Sequence, residues 1–150
     1  MYHRTGTLPM ASRHLSIRLE TDTFDRLEAA SRRVGLTRSQ VAKTLLDEGL
    51  RMESHPGIVF RSGPAGRRPG LVGGPDVWEV ARVLRGSNEP GDAALRRAAE
   101  LTGLSPDQVH VALRYYAEHT DEIDAWIARV DDEAEAAERA WRRERALLGS

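Results

Sequence analysis

From Arg13 to Glu20 the chain alternates strictly: Leu15, Ile17 and Leu19 are apolar, and His14, Ser16 and Arg18 between them are polar. A period of two sends these sets to opposite faces of a β-strand. The period then changes. Phe24, Leu27, Ala30 and Val34 recur at helical spacing, with Thr21 or Asp22 as the expected N-cap, Asp25 in the first turn and Gly35 placed to end the helix. Leu36 and Thr37 lead into a second helix from Ser39 to Leu50, with Val41, Leu45 and Leu46 inward. Residues 13–52 thus read strand, helix, turn, helix. A lone strand has two unpaired edges, and even an isolated hairpin is marginal in water. The pattern therefore requires a second chain. In the simplest two-fold dimer the strands pair, and Leu15, Ile17, Leu19, Phe24, Leu27, Val41 and Leu45 form the shared core. His14, Ser16 and Arg18 of each chain then line the outer face of a two-stranded ribbon, a shape that fits the major groove of B-DNA.

The strand Leu15-Ser-Ile-Arg-Leu19, the helix Asp22–Arg33 and the turn Gly35-Leu-Thr-Arg-Ser39 resemble the ribbon-helix-helix domain of the CopG, Arc and MetJ type, over about a quarter of the chain. The resemblance implies a homodimer that inserts its ribbon into the major groove of a short, roughly palindromic site. On that reading His14, Ser16 and Arg18 touch base edges, Arg18 being best suited to a two-point bond with guanine. Arg13, Thr37, Arg38 and Ser39 contact phosphates, because free N–H groups and the dipole make a helix start an anion site. A Thr37 that merely caps the helix, and a strand face that is simply solvated, are the plain alternatives.

Composition narrows the rest. The 150 residues allow one ordinary domain or two small ones. The chain has no Cys, no apolar run near membrane-spanning length and no apolar segment at its start, so a cytoplasmic, nucleoid-associated protein without disulfides is expected. The net charge of −1 hides an asymmetry: residues 1–75 carry 12 basic against 7 acidic side chains, and residues 76–150 carry 10 against 16. Halves of opposite sign suit nucleic acid at one end and a protein partner at the other.

Five segments are expected: a flexible arm at 1–12, the ribbon-helix-helix at 13–53, a linker or small hairpin at 54–75, a helix-turn-helix-like domain at 76–119 and a long C-terminal helix at 120–150. The fold class is mainly α. Ile58–Phe60 and Leu71–Val72 flank a Gly/Pro-rich turn and suggest the hairpin, in whose turn Arg67 and Arg68 either touch DNA or stay solvated. Glycines around 63–74 lack the Gly-Lys-Ser/Thr ending of a phosphate loop. Trp78, Val80, Ala81 and Leu84 mark one helix. Ala94, Leu95, Ala98, Ala99 and Leu101 mark a second, ending at Gly103. Ser105 and Pro106 start a third, with Val109, Ala112, Leu113 and Tyr116 inward. Ala99, Gly103 and Val109 have helix-turn-helix spacing, yet Asp107 and Glu118 outweigh Arg114 on the third helix, which offers phosphates little. Packing or protein contact is the better reading there.

The Gly66-Arg-Arg-Pro69 hairpin, Gly74-Pro-Asp-Val-Trp-Glu-Val80 and the run Leu104-Ser-Pro-Asp-Gln-Val109 through Ala112-Leu-Arg-Tyr-Tyr-Ala-Glu-His119 to Asp121-Glu-Ile-Asp124 are similar to a small helix-turn-helix domain of unknown function found in VapB-type antitoxins. That resemblance implies a PIN-like toxin as partner. In the tail, Ile123, Ile127, Val130, Ala134, Ala137 and Trp141 recur every three or four residues, and Ile123, Ile127, Val130 and Trp141 are candidate partner contacts unless the helix packs on its own domain or on its dimer mate. The five histidines, at 3, 14, 55, 110 and 119, show no metal-ligand spacing, and no nucleophile motif is present. Neither an enzyme, a metal nor a cofactor is expected. The sequence reading is a homodimeric, sequence-specific DNA-binding regulator, a repressor or autoregulator. Higher order on DNA is left open. The alternatives are an antitoxin whose C-terminal half neutralises a PIN-like toxin, and an architectural DNA-coating protein.

Overall fold

Glycines and capping side chains set where the helices begin and stop. A computed structural model describes residues 11–149, so the arm expected at 1–12 lies, but for Ala11 and Ser12, outside the described residues. Helix α1 spans Thr21–Val34 and stops at Gly35, whose left-handed φ of 71° lets its N–H reach back to the Ser31 carbonyl. Its N-cap is Glu20, not Thr21 or Asp22, and the Glu20 side chain makes no capping bond. The backbone is still extended at Glu20 and turns helical one residue later, which leaves Asp22 to pair with Arg26 at 3.3 Å. Helix α2 spans Arg38–Ser54. Before it stands a reciprocal capping box: Gln40 N–H donates to Thr37 Oγ1 at 3.1 Å, and Thr37 N–H donates to Gln40 Oε1 at 2.9 Å.

The chain divides into two compact units, one up to Leu45 and one from Leu46 onward. The division falls inside α2 rather than at 53/54. In the first unit the alternating stretch 13–20, expected as a strand, carries no regular secondary structure; a lone strand would have both edges unpaired. Val41 is the only buried apolar side chain among the described residues of this unit. Leu27 and Ala30 are half-buried, while Leu15 and Ile17 are 70% and 68% exposed and Leu19, Phe24, Val34 and Leu45 are also exposed. Leu46, expected inward as well, is exposed.

The second unit opens with an antiparallel hairpin, β1 (Ile58–Gly63) and β2 (Gly66–Leu71), in which Ile58 faces Leu71 and Gly63 faces Gly66. Of the two expectations for 54–75, a linker or a small hairpin, the hairpin is present, and it joins the core through buried Ile58 and Leu71. Arg67 and Arg68, read from the sequence as turn residues able to touch DNA, stand in β2 and are held by carboxylates. Arg67 grips buried Glu48 with two bonds, at 2.6 and 2.7 Å, and Arg68 pairs with Asp76. Arg61 reaches the other Asp76 oxygen at 3.0 Å, passing so close over Gly70 that a Cβ there would lie 1.9 Å from its Nη2.

Asp76 also caps α3 (Val77–Gly86), with Glu79 accepting from the Asp76 N–H at 2.8 Å. Next come α4 (Gly91–Thr102), α5 (Pro106–Glu118) and the 28-residue α6 (Thr120–Leu147). Gly103, with φ 69°, ends α4, and Ser105 caps α5 in a box with Gln108. The helix-turn-helix spacing is realised, with Ala99 and Val109 both in the core. Helix α5 is central and touches α3, α4, α6 and both strands. Its deepest side chain is Tyr115, fully buried, rather than the Tyr116 expected inward. Val109 and Ala112 of the expected stripe are buried, and Tyr116 is half-buried against the same core. Ile123 and Ile127 are buried in this same core and so are not available to a partner, correcting their reading as partner contacts. Val130 is half-buried at the edge. From Asp132 to Leu147 only Ala140 is less than exposed, and Trp141 is 56% exposed. The expected class, mainly α with a small hairpin and a long terminal helix, is present.

Replacing Asp76 by Ala removes the shared partner of two arginines and the cap of α3. We expect a loss of about 2–3 kcal/mol, the scale of hydrogen bonds to charged groups, read as a lower urea midpoint. An unchanged midpoint would mean that Asp76 does not hold the hairpin to α3.

Candidate functional site

The residues proposed for DNA contact all belong to the first unit. Arg13, His14, Ser16 and Arg18 are exposed on the stretch before α1. Arg38 opens α2, where its guanidinium lies 5.0 Å from the centre of the Phe24 ring and 3.6 Å from Glu28. Thr37 and Ser39 flank it and are exposed. The capping box uses the N–H groups of Thr37 and Gln40. Arg38 and Ser39, first in the helix, keep N–H groups that no earlier turn can accept. Such a start, with an arginine and two hydroxyls beside it, can receive a phosphate. Behind it, Leu19, Thr23, Arg26, Leu27, Ala30 and Leu45 line a shallow apolar groove of about 230 Å³. Polar contact residues and an uncovered apolar face thus lie on one small unit.

A second constellation, in the other unit, escaped the sequence reading. Arg51, one turn before the end of α2, donates to the Tyr115 hydroxyl at 2.9 Å and to Glu122 at 2.6 Å, and pairs with Asp47 at 3.0 Å. Burial opposes its charge, but the bonds to Glu122 and Tyr115 outweigh it and hold Arg51 above its usual range. Burial pushes the Tyr115 phenol up, and Arg51 partly offsets that. Beside them His55, its side chain 3% exposed, lies 2.9 Å from Glu118 through Nε2. The His119 ring stacks at a tilt on Tyr115 with centroids 4.4 Å apart, and stands 5.8 Å from the His55 ring. The donor atoms of His55, Glu118 and His119 all lie within 4.8 Å of one another. No spacing rule could have found this set, because His55 is 64 positions from His119. The only local hint is that each histidine sits where a helix ends: His55 begins the His-Pro-Gly turn into β1, and His119 joins α5 to α6.

On the outer side of α6's first turns, Tyr116 donates to Asp124 at 2.6 Å, and burial with that bond pushes its phenol up to about 12. Arg85 closes on the same carboxylate at 3.2 Å. This contact ties α3, α5 and α6 together.

His119 is held below its ordinary value of 6.5, first by burial and then by the Arg51 charge. The folded protein therefore binds its proton less readily than the unfolded chain. Folding stability should fall as pH drops through about 6.5 and level off once the folded form also protonates. The difference in melting temperature between the protein and its His119→Gln variant should shrink or reverse over that window. A constant difference from neutral to acid pH would exclude the coupling.

Compared with known proteins, the chain matches no protein-family model, no curated protein and no solved structure at a significant level.

Proposed function

We propose that the chain is a homodimeric DNA-binding regulator that reads the major groove with a two-stranded ribbon formed by residues 13–19 of two copies. The observation that carries this reading is the burial deficit of the first unit. With Val41 as the only buried apolar side chain among its described residues, and with Leu15, Ile17, Leu19, Phe24 and Leu45 exposed, one copy leaves its apolar face in water. Fully burying each such side chain is worth about 1.5–3 kcal/mol. A second copy pairing along the alternating stretch would cover that face and complete the ladder that a lone strand lacks. The same pairing would set His14, Ser16 and Arg18 outward in duplicate, with the two α2 starts flanking them for phosphates. It is the arrangement of the ribbon-helix-helix family that the sequence resembles. Autoregulation as a repressor follows as the simplest use of a short palindromic site.

A second reading, the antitoxin, is favoured by one observation: Trp141 and Leu147 are 56% and 88% exposed on the outlying part of α6, and Leu148 just after it is 79% exposed. An amphipathic helix of that kind suits a groove on a partner protein such as a PIN-like toxin. The two readings are compatible, one for each end of the chain.

Arg18→Ala should weaken binding to the chain's own upstream DNA by about one to two powers of ten, the scale of one bidentate base contact, with the dimer mass in sedimentation unchanged. Loss of the dimer would place Arg18 on the wrong face. Equal binding to upstream and scrambled duplexes that collapses with salt would replace base reading by phosphate contact alone, the architectural alternative.

A further inference from the structure

We propose that His55, Glu118 and His119 form a binding site for a divalent transition metal of the zinc class. Two imidazoles and one carboxylate are a donor set that zinc takes in open sites, with a fourth position left to water or to another ligand. Bond lengths of about 2.0–2.1 Å put neighbouring ligand atoms of a tetrahedral site roughly 3.3 Å apart. Here His55 Nε2 and Glu118 Oε2 are already 2.9 Å apart, and all three donors lie within 4.8 Å of one another. Small side-chain rotations therefore close the site without moving a helix.

The backbone holds the donors in place. His55 ends its helix by an N–H bond to the Arg51 carbonyl at 2.9 Å, and its own carbonyl accepts from Ile58 at 3.0 Å. The intervening Gly57 has φ 97°, and a Cβ there would come 3.2 Å from Val111. His119 is tied in the same way, its N–H reaching the Tyr115 carbonyl at 3.0 Å. One ligand thus comes from the turn that enters the hairpin and two from the junction of α5 and α6.

The charge around the site is right for a cation. Arg51 is the nearby positive group, and it is engaged by Asp47 and Glu122. Two carboxylates thus offset the one guanidinium, and Glu118 is left to pair with His55. Access is also present: Glu118 and His119 line a shallow groove of about 340 Å³ with Thr120, Asp121 and Glu122, while the His55 side chain is 3% exposed. In the metal-free state His55 bonds to Glu118 through Nε2. Metal binding exchanges that hydrogen bond for two coordinate bonds and releases any proton that Nε2 carries. The alternative is a His–Glu hydrogen bond with no affinity for metal.

The test uses the full chain without a histidine tag, stripped with chelator and titrated with Co²⁺ while its visible d–d absorption is followed. Zn²⁺ is then added as competitor. One Co²⁺ per chain with the intensity of a four- or five-coordinate site, displaced by Zn²⁺, is expected. His119→Ala and Glu118→Gln should each lower the affinity at least about tenfold, with helical circular dichroism retained, whereas His110→Ala, on the same helix outside the cluster, should not. Zn²⁺ should also raise the melting temperature of the unaltered protein but not that of His119→Ala. His55 is too deeply buried for its variant to serve as the sole witness, so the two more accessible ligands carry the test. No Co²⁺ uptake at millimolar metal, or uptake that survives both variants, overturns the proposal.

Discussion

A short segment cannot build a core from one buried apolar side chain. The first unit supplies a strand-like stretch and a helix, then the first half of α2. Among its described residues Val41 is the only apolar side chain that is buried, with Leu27 and Ala30 half-buried. Ordering a backbone costs about 1–2 kcal/mol per residue, and nothing visible in a single copy of this unit compensates for that over 13–20. On the proposed reading a second copy supplies the missing contribution: dimerisation is then a condition of this unit's fold, and the same pairing forms the proposed DNA-contact surface.

The second unit meets the same physical demand in the opposite way. It buries Val77, Val80, Val109, Tyr115 and Ile123 almost completely around α5. Its polar groups are drawn into pairs instead of being left to solvent. Asp76 gathers Arg61 and Arg68, Glu48 takes Arg67, and Arg51 takes Tyr115, Glu122 and Asp47. Partly buried arginines are costly unless their charge is matched by hydrogen-bonded carboxylates. The hairpin therefore is not a basic patch. Its arginines act within the molecule, binding it to α2 and to the cap of α3.

The distal part of α6 follows neither scheme. Beyond the core its support is local: Arg139 pairs with Glu135 at 3.6 Å, Arg142 pairs with Glu138, and the Arg145 guanidinium sits 5.5 Å from the Trp141 ring centre. Such pairs contribute only about 0.2–0.5 kcal/mol each. The first turns of the helix belong to the domain, and the rest is an exposed amphipathic rod.

Much of this was legible from residue order. Alternation at 13–19, glycines at 35 and 103, and the caps at Thr37 and Ser105 are local signals, acting through backbone geometry within a few residues. They placed the helices of the described residues to within a few positions, and they gave the existence of the hairpin but not its second strand, which takes in residues read as its turn. The candidate DNA-contact set was drawn from the alternation at 13–19 and from one helix start; the helix start is present, while 13–20 carries no regular secondary structure. Other features depended on which face of one element meets another. That decided Tyr115 over Tyr116, put Ile123 and Ile127 inside, and gave Arg67 and Arg68 to carboxylates. It also brought His55 beside Glu118 and His119. Residues so far apart in the chain become neighbours only when the hairpin and α6 close on α5, and no periodicity records that event. The sequence by itself determined the elements, their ends and the apolar face left over at the start of the chain. Tertiary structure alone decided which charged and titratable side chains would share a site, because that depends on long-range packing and not on spacing.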